Sequence, residues 1–183
     1  VAEKTGAEFV HAYDDPDIIA GQGTLGIEMY HDNPDVDTIV VPIGGGGLIG
    51  GVSTAIKHLS PETRVIGVQA TGAETVHESL DKGFPVTLDD VDTIADGIAT
   101  GGISDATFRI IQERVDEVVT VSDTEIATAI LFLMERAKQV VEGAAAASVA
   151  AVLGDDVDVS GETVMPLLCG GNLDMTQLQT VLV

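Results

Sequence analysis

Apolar and polar positions along this chain fall into two alternating kinds of segment. Short runs rich in Val and Ile are typical of buried strands, and longer segments with three-to-four-residue apolar spacing are typical of helices. The predicted strands are 8–10, 38–41, 64–69, 117–121 and 163–168, and the predicted helices are 17–30, 47–59, 73–81, 106–114, 123–141 and 144–153. Residues 84–102 are predicted to be mostly loop. This alternation predicts an α/β fold: an open parallel sheet with helices on both faces.

Two of the predicted helices begin at recognisable caps. Ser104 stands just before the helix at 106–114 and can cap it. Ser122 is followed three residues later by Glu125, which is the spacing of a capping box. That box predicts a helix that runs on to about Val141.

Composition narrows the fold and the class of protein. The 183 residues suit a single domain, and 45% are apolar while only 3% are aromatic. A core of Val, Ile, Leu and Ala fits parallel strands covered by helices. The one Cys excludes a disulfide framework and a Cys-based zinc site. No signal-peptide pattern and no long apolar run occurs, so a cytoplasmic protein is expected, without a membrane span.

The chain is strongly acidic, with 30 Asp and Glu against eight Lys and Arg and a net charge of −22. Such a surface repels phosphate backbones and anionic lipid, so neither nucleic acid nor membrane is expected as a partner. The acidic residues are scattered rather than gathered in one tail. This distribution is typical of adaptation to a high-salt cytoplasm, although an ordinary acidic protein remains an alternative.

Four consecutive glycines follow the predicted strand 38–41 and open the predicted helix 47–59. Without side chains, the amides of such a loop can converge on one anion at the positive end of the helix. The glycines therefore predict a phosphate cradle. The alternative is a tight turn in which helix and sheet pack closely, for which glycine alone also suffices.

Three glycine-containing segments are predicted to lie at the same edge of the sheet. They are the glycine loop at 44–47, the loop around Asp96 and Gly97, and the turn at 169–172. In open parallel sheets, ligands bind beyond the carboxyl ends of the strands, so this coincidence favours a site. The spacing of Gly45, Gly47 and Gly50 also matches a dinucleotide fingerprint, but the next strand ends at Gln69 without the acidic residue that this fold needs.

Taken in order, these motifs resemble the fold type II pyridoxal-phosphate enzymes. Within them the chain is most similar to the threonine dehydratases, with the serine racemases and serine dehydratases as close relatives. The resemblance covers nearly the whole chain and rests on A-G-Q-G-T at 20–24, the glycine loop at 42–48, I-A-D-G at 94–97, V-E-G-A at 141–144 and L-C-G-G-N at 168–172.

The resemblance implies pyridoxal 5'-phosphate as cofactor and assigns residues to it. Gly97 would pass close to the pyridine ring, Cys169 would face the pyridine nitrogen, and Glu142 would lie near the ring edge or the substrate. The cofactor phosphate would be held by the backbone of Gly44, Gly45, Gly46, Gly47 and Leu48.

A thiol at the pyridine nitrogen has a chemical consequence. A Cys with a pKa of about 8.5 is mostly neutral at pH 7, so Cys169 cannot stabilise a protonated ring as an Asp would. The ring is then a weaker electron sink, which favours loss of a β-hydroxyl. The alternative is a buried and inert Cys.

No metal site is expected. Where racemase-like relatives carry metal-binding carboxylates, this chain has Gln69, Ala73 and Thr75. The four histidines lack the spacing of zinc ligands and are expected to be surface or capping residues.

The family's catalytic lysine lies in an S-x-K-x-R-G-A motif, and none of Lys4, Lys57, Lys82 and Lys138 has that context. Lys57 is expected to be a solvated surface charge. We therefore expect residues 1–183 to be most of the large cofactor-binding domain, without the small domain that carries the lysine or a following regulatory domain. Alone, such a piece should bind the cofactor weakly and have no turnover.

For the full-length parent, the resemblance implies dehydration and deamination of L-threonine or L-serine, giving 2-oxobutanoate or pyruvate and ammonia, as in isoleucine biosynthesis. A homo-oligomer is implied as well. The alternatives are serine racemisation, a β-replacement as in cysteine synthase, and a non-catalytic scaffold subunit with this fold.

Overall fold

Four parallel strands form the centre of the computed structural model, which describes residues 2–154, 157–174, 176 and 179. They are β1 (Thr38–Pro42), β2 (Arg64–Ala70), β3 (Glu117–Val121) and β4 (Val164–Pro166). Their order across the sheet is β3-β2-β1-β4, and every neighbouring pair is parallel. All five residues of β1 are buried, as expected of a central strand covered on both faces.

Helices connect the strands. They are α1 (Ala2–Thr5), α2 (Pro16–Asp32), α3 (Gly47–Leu59), α4 (Thr75–Lys82), α5 (Asp105–Arg114), α6 (Asp123–Phe132) and α7 (Gly143–Leu153). Short 3-10 turns cover Thr71–Ala73 and Asp96–Ile98, and a π-helical turn covers Leu133–Ala137. The predicted cap at Ser104 and the predicted capping box at Ser122 both form, and the cap at Ser104 is itself a capping box with Thr107. Within the described part of the chain, no helix combines the length and hydropathy needed to cross a membrane.

The sheet separates two apolar clusters. Val40, Ile66 and Val68 belong to the cluster beneath α6 and α7, whereas Ile39 and Val41 belong to the cluster beneath α3 and α5. Side chains of successive strand residues point to opposite faces, so adjacent positions of β1 supply both cores. The predicted open parallel sheet with helices on both faces is therefore confirmed.

Helices α2 and α3 approach each other closely through glycines. A Cβ on Gly51 would lie 2.2 Å from the carbonyl oxygen of Ile19, and a Cβ on Gly26 would lie 2.9 Å from that of Val52. Gly23 lies against the backbone of Gly51 in the same way, at 3.2 Å. The A-G-Q-G-T segment thus supplies part of a backbone-to-backbone helix contact that positions the start of α3.

Three predicted elements differ most from the structure, whereas the bounds of the others agree within two residues. Residues 8–10 form no strand; Phe9 and Val10 are exposed and pair with no sheet edge. The helix predicted to reach Val141 ends as a π-helical turn at Ala137, because Lys138 adopts a left-handed backbone with φ of 58°. The last strand is confined to Val164–Pro166. The acidic pair at 155–156 lies outside the described residues.

Candidate functional site

A cleft of about 650 Å³ lies at the carboxyl ends of the strands. It is bordered by Pro42 at the end of β1, the start of α3, the 3-10 turn at Gly97, the start of α7 and the segment that follows β4. All the candidate residues from the sequence lie along this one cleft: Gly44, Gly45, Gly46, Gly47, Leu48, Gly97, Glu142 and Cys169. The three distant segments therefore do share an edge of the sheet.

The glycine loop offers unpaired backbone donors to this cleft. Gly46 is the N-cap of α3, has a φ of +90° and provides no side-chain cap. The first helical bond runs from Gly50 N to Gly46 O, at 2.9 Å. Among the described residues, no acceptor pairs with the amides of residues 44–49. These donors, at the positive end of a helix, are suited to an anion.

Packing also requires glycine at these positions. A Cβ on Gly45 would lie 2.3 Å from the ring of Tyr13, and one on Gly47 would lie 2.9 Å from its Cα. Gly44 is similarly confined by Thr100, and Gly46 by Thr107. The tight-turn interpretation therefore explains the absence of side chains. It does not explain why the amides of residues 44–49 lack acceptors, a set larger than the four that every helix start leaves unpaired, and this larger set is suited to a ligand.

The Gly97 turn is fixed on both of its sides. Asp123 accepts hydrogen bonds from Thr93 Oγ1 (2.5 Å) and from Ile94 N (3.1 Å), which ties the approach to the turn to α6. A Cβ on Gly97 would lie 2.8 Å from the Cβ of Ala144. Contact with α7 is thus sufficient reason for glycine at 97, whether or not a ring lies beside it.

Glu142 joins the start of α7 to the turn that follows β4. Its Oε2 accepts a hydrogen bond from Asn172 N at 2.9 Å, and its own N–H donates to Gly170 O at 3.2 Å. A Cβ on Gly170 would lie 2.4 Å from the carboxyl group of Glu142, so this close approach depends on glycine. The V-E-G-A and C-G-G-N motifs therefore meet at one carboxylate.

Cys169 lies at the rim of the cleft and is exposed as a residue. The protein packed around its sulfur disfavours the thiolate, and the carboxylate of Glu142 disfavours it further, so the pKa of the thiol is raised. The neutral thiol is then the dominant form at pH 7. The residue as a whole is exposed although its sulfur is packed against protein, so the alternative of an inert Cys stays open.

Other residues that line the cleft were not identified from the sequence. They include Tyr13, Gln22 and Thr100. Tyr13 precedes α2 by only a few residues and is one of two Tyr in the chain. An aromatic residue next to a helix cap in an aromatic-poor sequence was the available signal.

Lysines lie away from the cleft; none is among the described residues that line it. Lys57 was expected to be a solvated charge, and this is wrong. Its side chain is only 17% exposed, pairs with Asp116 at 2.7 Å and donates to Thr63 O. This lysine in the last turn of α3 therefore has a structural partner.

The side chains at the positions considered for a metal serve local structure. Gln69 is fully buried; its amide donates to Ala73 O and accepts from Val76 N and His77 N at the start of α4. His11 Nδ1 accepts from the amides of Tyr13 and Asp14, which is a capping role. In the described ranges, no three His, Cys, Asp or Glu side chains are grouped so as to hold a metal ion.

Comparison with known proteins agrees with this geometry. The family described as "Pyridoxal-phosphate dependent enzyme" matches residues 1–170. The chain is 50% identical over 182 residues to an L-threonine ammonia-lyase of Thermotoga maritima, a match that covers 100% of this chain and 45% of that protein. It is 39% identical over 183 residues to the catabolic L-threonine dehydratase TdcB of Escherichia coli K12, covering 99% of this chain and 56% of that protein.

Solved structures are similar as well. The processed form of threonine deaminase isoform 2 from Solanum lycopersicum superposes with a TM-score of 0.93 at 35% identity, over 99% of this chain and 50% of that one. Maize serine racemase superposes with a TM-score of 0.91 at 34% identity, over 99% of this chain and 56% of that one. The chain spans about half the length of the curated relatives it matches.

Proposed function

Because the chain belongs to the pyridoxal-phosphate dependent enzymes, we propose that the protein containing it is a threonine ammonia-lyase. The substrate is L-threonine, or L-serine. The β-hydroxyl leaves as water, and hydrolysis of the released enamine returns that water and yields 2-oxobutanoate, or pyruvate, and ammonia. The high identity to an L-threonine ammonia-lyase along the whole chain supports this assignment.

The observation that carries the proposed cofactor site is the set of amides without acceptors at the start of α3. We propose that the backbone of Gly44, Gly45, Gly46, Gly47 and Leu48 holds the cofactor phosphate. The lining offers these amides and no Lys or Arg, so the phosphate charge would be met by main-chain donors and the helix dipole. The donor set therefore fits a phosphate ester.

When bound, the cofactor supplies a conjugated ring that accepts electrons from the substrate Cα. Cys169 is proposed to face the ring nitrogen as a neutral hydrogen-bonding group, in agreement with the raised pKa of its thiol. Gly97 is proposed to leave room beside the ring. Glu142 is proposed to orient the Gly170 turn next to the ring or the substrate, through its bond to Asn172 N.

We further propose that residues 1–183 form most of a large cofactor-binding domain. No lysine of this chain is assigned to the covalent link with the cofactor, because none is among the residues that line the cleft. The family resemblance supports a homo-oligomer. The net charge of −22 supports the proposal that the protein is adapted to a salt-rich cytoplasm.

Serine racemisation is the second candidate. The 34% identity to maize serine racemase over nearly the whole chain favours it. The engagement of the Gln69 amide with the start of α4 speaks against a metal site of the racemase kind. β-Replacement and a non-catalytic scaffold have no such observation in their favour.

The test is product analysis with the longer protein and pyridoxal 5'-phosphate. Formation of equal amounts of ammonia and 2-oxobutanoate from L-threonine supports the proposal, whereas D-serine formed from L-serine without ammonia would support racemisation. Replacing Cys169 by Ser should preserve most of the activity, and replacing it by Asp should not. Equal rates for these two variants would contradict the proposed role of a neutral group.

A further inference from the structure

The glycine loop has an open shape that its own hydrogen bonds do not maintain. The amides of residues 44–46 pair with no acceptor in the described part of the chain. Glycine also has the greatest backbone freedom of any residue. Neighbouring side chains must therefore restrict the loop to the conformation in which its donors converge.

Tyr13 makes the most extensive contact of this kind. An ideal Cβ on Gly45 would lie 2.3 Å from two atoms of the tyrosine ring, so the ring lies directly against that glycine. An ideal Cβ on Gly47 would lie 2.9 Å from both the Cα and the Cβ of Tyr13. Thr100 and Thr107 each confine one glycine, whereas Tyr13 confines two and also lines the cleft.

Tyr13 is itself fixed by its neighbours. The Nδ1 atom of His11 accepts from the amides of Tyr13 (3.4 Å) and Asp14 (3.0 Å), and the two rings meet edge to face with centroids 4.6 Å apart. The carboxylate of Asp15 then caps α2. The tyrosine hydroxyl makes only a long bond, of 3.4 Å, to Gly102 O. The ring, rather than the hydroxyl, therefore makes the important contact.

We propose that Tyr13 is a positioning residue of the phosphate site, because its ring holds the amides of residues 45–48 in the converging arrangement. It contributes no charge and acts through the glycine loop. This inference rests on the proposed cofactor site. Its consequence is that Tyr13 affects the affinity for ligands that carry a phosphate and leaves the affinity for ligands without one unchanged.

The experiment follows the amides of the glycine loop by NMR in the 15N-labelled chain. Inorganic phosphate, pyridoxal 5'-phosphate and pyridoxal are titrated separately into the chain without substitutions, called the parent from here on. The same titrations are made with Tyr13→Leu, Tyr13→Phe and Tyr30→Leu. Tyr30 is the chain's other tyrosine and does not line the cleft, so its replacement is the matched control. The Phe variant keeps the ring and removes only the hydroxyl.

We expect Tyr13→Leu to weaken the binding of both phosphate compounds by about three- to tenfold, the effect of losing part of a preorganised site. Pyridoxal should bind equally to all variants. Tyr13→Phe and Tyr30→Leu should bind phosphate like the parent. If the Leu variant does not fold, as seen in its spectrum without ligand, Tyr13→Met provides the same comparison with a longer and more adaptable side chain.

Tighter phosphate binding by Tyr13→Leu would overturn the inference, since the ring would then obstruct the loop. Equal binding by the parent and Tyr13→Leu would overturn it as well. Failure of the proposed cofactor site looks different: the glycine amides of the parent itself would shift with neither phosphate nor pyridoxal 5'-phosphate.

Discussion

Cys169 and Glu142 illustrate how single residues in this cleft influence each other. Burial of the sulfur is the larger cause of the raised thiol pKa, and the negative charge of Glu142 adds to it. A raised pKa means a smaller thiolate fraction at any pH below it, and thiolate is the reactive form. Cys169 should therefore react slowly although it is exposed.

Alkylation kinetics test this relation. With iodoacetamide between about pH 7 and pH 8.5, Cys169 should react more slowly in the folded chain than in the urea-unfolded chain. Glu142→Gln should speed the reaction, because it removes the charge while its amide oxygen can still accept the bond from Asn172 N. Glu113→Gln, which changes a carboxylate outside the cleft, should leave the rate unchanged. A folded chain that reacts faster than the unfolded one would contradict the assignment.

For single residues, the sequence indicated which of them line the cleft. It explained only in part why glycine is needed at the neighbouring positions. The motifs at Gly97, Glu142 and Cys169 do line one cleft. Their glycine neighbours, however, are explained by contacts that no local pattern contains, such as Ala144 against Gly97 and the Glu142 carboxylate against Gly170. Tyr13 was missed for the same reason, since its contact with the glycine loop joins positions more than thirty residues apart.

The contact between α2 and α3 determines where the glycine loop lies. Because a Cβ on Gly51 would meet the backbone oxygen of Ile19 at 2.2 Å, the helices would have to separate to accept Ala. Gly21, one turn into α2, is exposed and has nothing within 4 Å of its ideal Cβ. The two positions gain similarly in helix propensity on replacement by Ala and differ in packing.

Gly51→Ala should therefore lower the free energy of unfolding by about 1–3 kcal/mol through overpacking. Gly21→Ala should raise it by about 0.5–1 kcal/mol, because Ala reduces the freedom of the unfolded chain. Urea unfolding followed by circular dichroism measures both. Equal effects of the two replacements would show that the close approach of α2 and α3 is not maintained in solution.

The capping box of α6 makes the stability of the fold depend on pH. The bonds from Ser122 to the Glu125 carboxylate, first from its hydroxyl and then from its amide, lower the pKa of Glu125 below its ordinary value of 4.5. A carboxyl whose pKa is lowered by folding stabilises the native state above the unfolded value. That contribution disappears as the pH falls through the folded value.

Glu125→Ala should lower the free energy of unfolding by about 0.5–1 kcal/mol at pH 7, the range of a cap on a partly exposed surface. The difference from the parent should shrink as the pH falls below 4.5. Glu113→Ala, which removes an exposed carboxylate from α5, is the control. It should change the free energy of unfolding little, both at pH 7 and below pH 4.5. A loss for Glu125→Ala that is independent of pH would show that the box does not depend on the charge.

Element by element, prediction from the sequence succeeded where a local signal was complete. The cap at Ser104 and the capping box at Ser122 formed as predicted, and α3 and β3 have the predicted bounds. The short run at 8–10 contains Phe9 and Val10, but a strand also needs a partner along the sheet edge, which a local pattern does not reveal. The π-helical turn after Phe132 has no Pro or Gly to mark it.

As a whole, the molecule carries far more acid than its cations can neutralise. Even if each of the eight Lys and Arg paired with one acid, 22 of the 30 acidic residues would remain without a cation. Ion pairs form among the described residues, such as Lys57 with Asp116 and Arg64 with Glu117. Each pair neutralises one basic and one acidic residue, so the excess of negative charge stays the same. Repulsion between the remaining carboxylates is weaker in the expanded unfolded chain and so favours unfolding at low salt.

Added salt should therefore stabilise the fold in a characteristic way. The Debye length falls from about 30 Å at 0.01 M salt to about 3 Å at 1 M, so the urea midpoint should rise steeply at first and level off near 1 M KCl. Replacing the exposed Asp89 and Asp92 by Asn should raise the low-salt midpoint and flatten the rise. Sucrose at matched osmolality is the control for exclusion of solute from the surface. A midpoint that rises linearly far beyond 1 M would indicate exclusion of the salt, and a midpoint that does not rise would mean that the acidic excess does not limit stability.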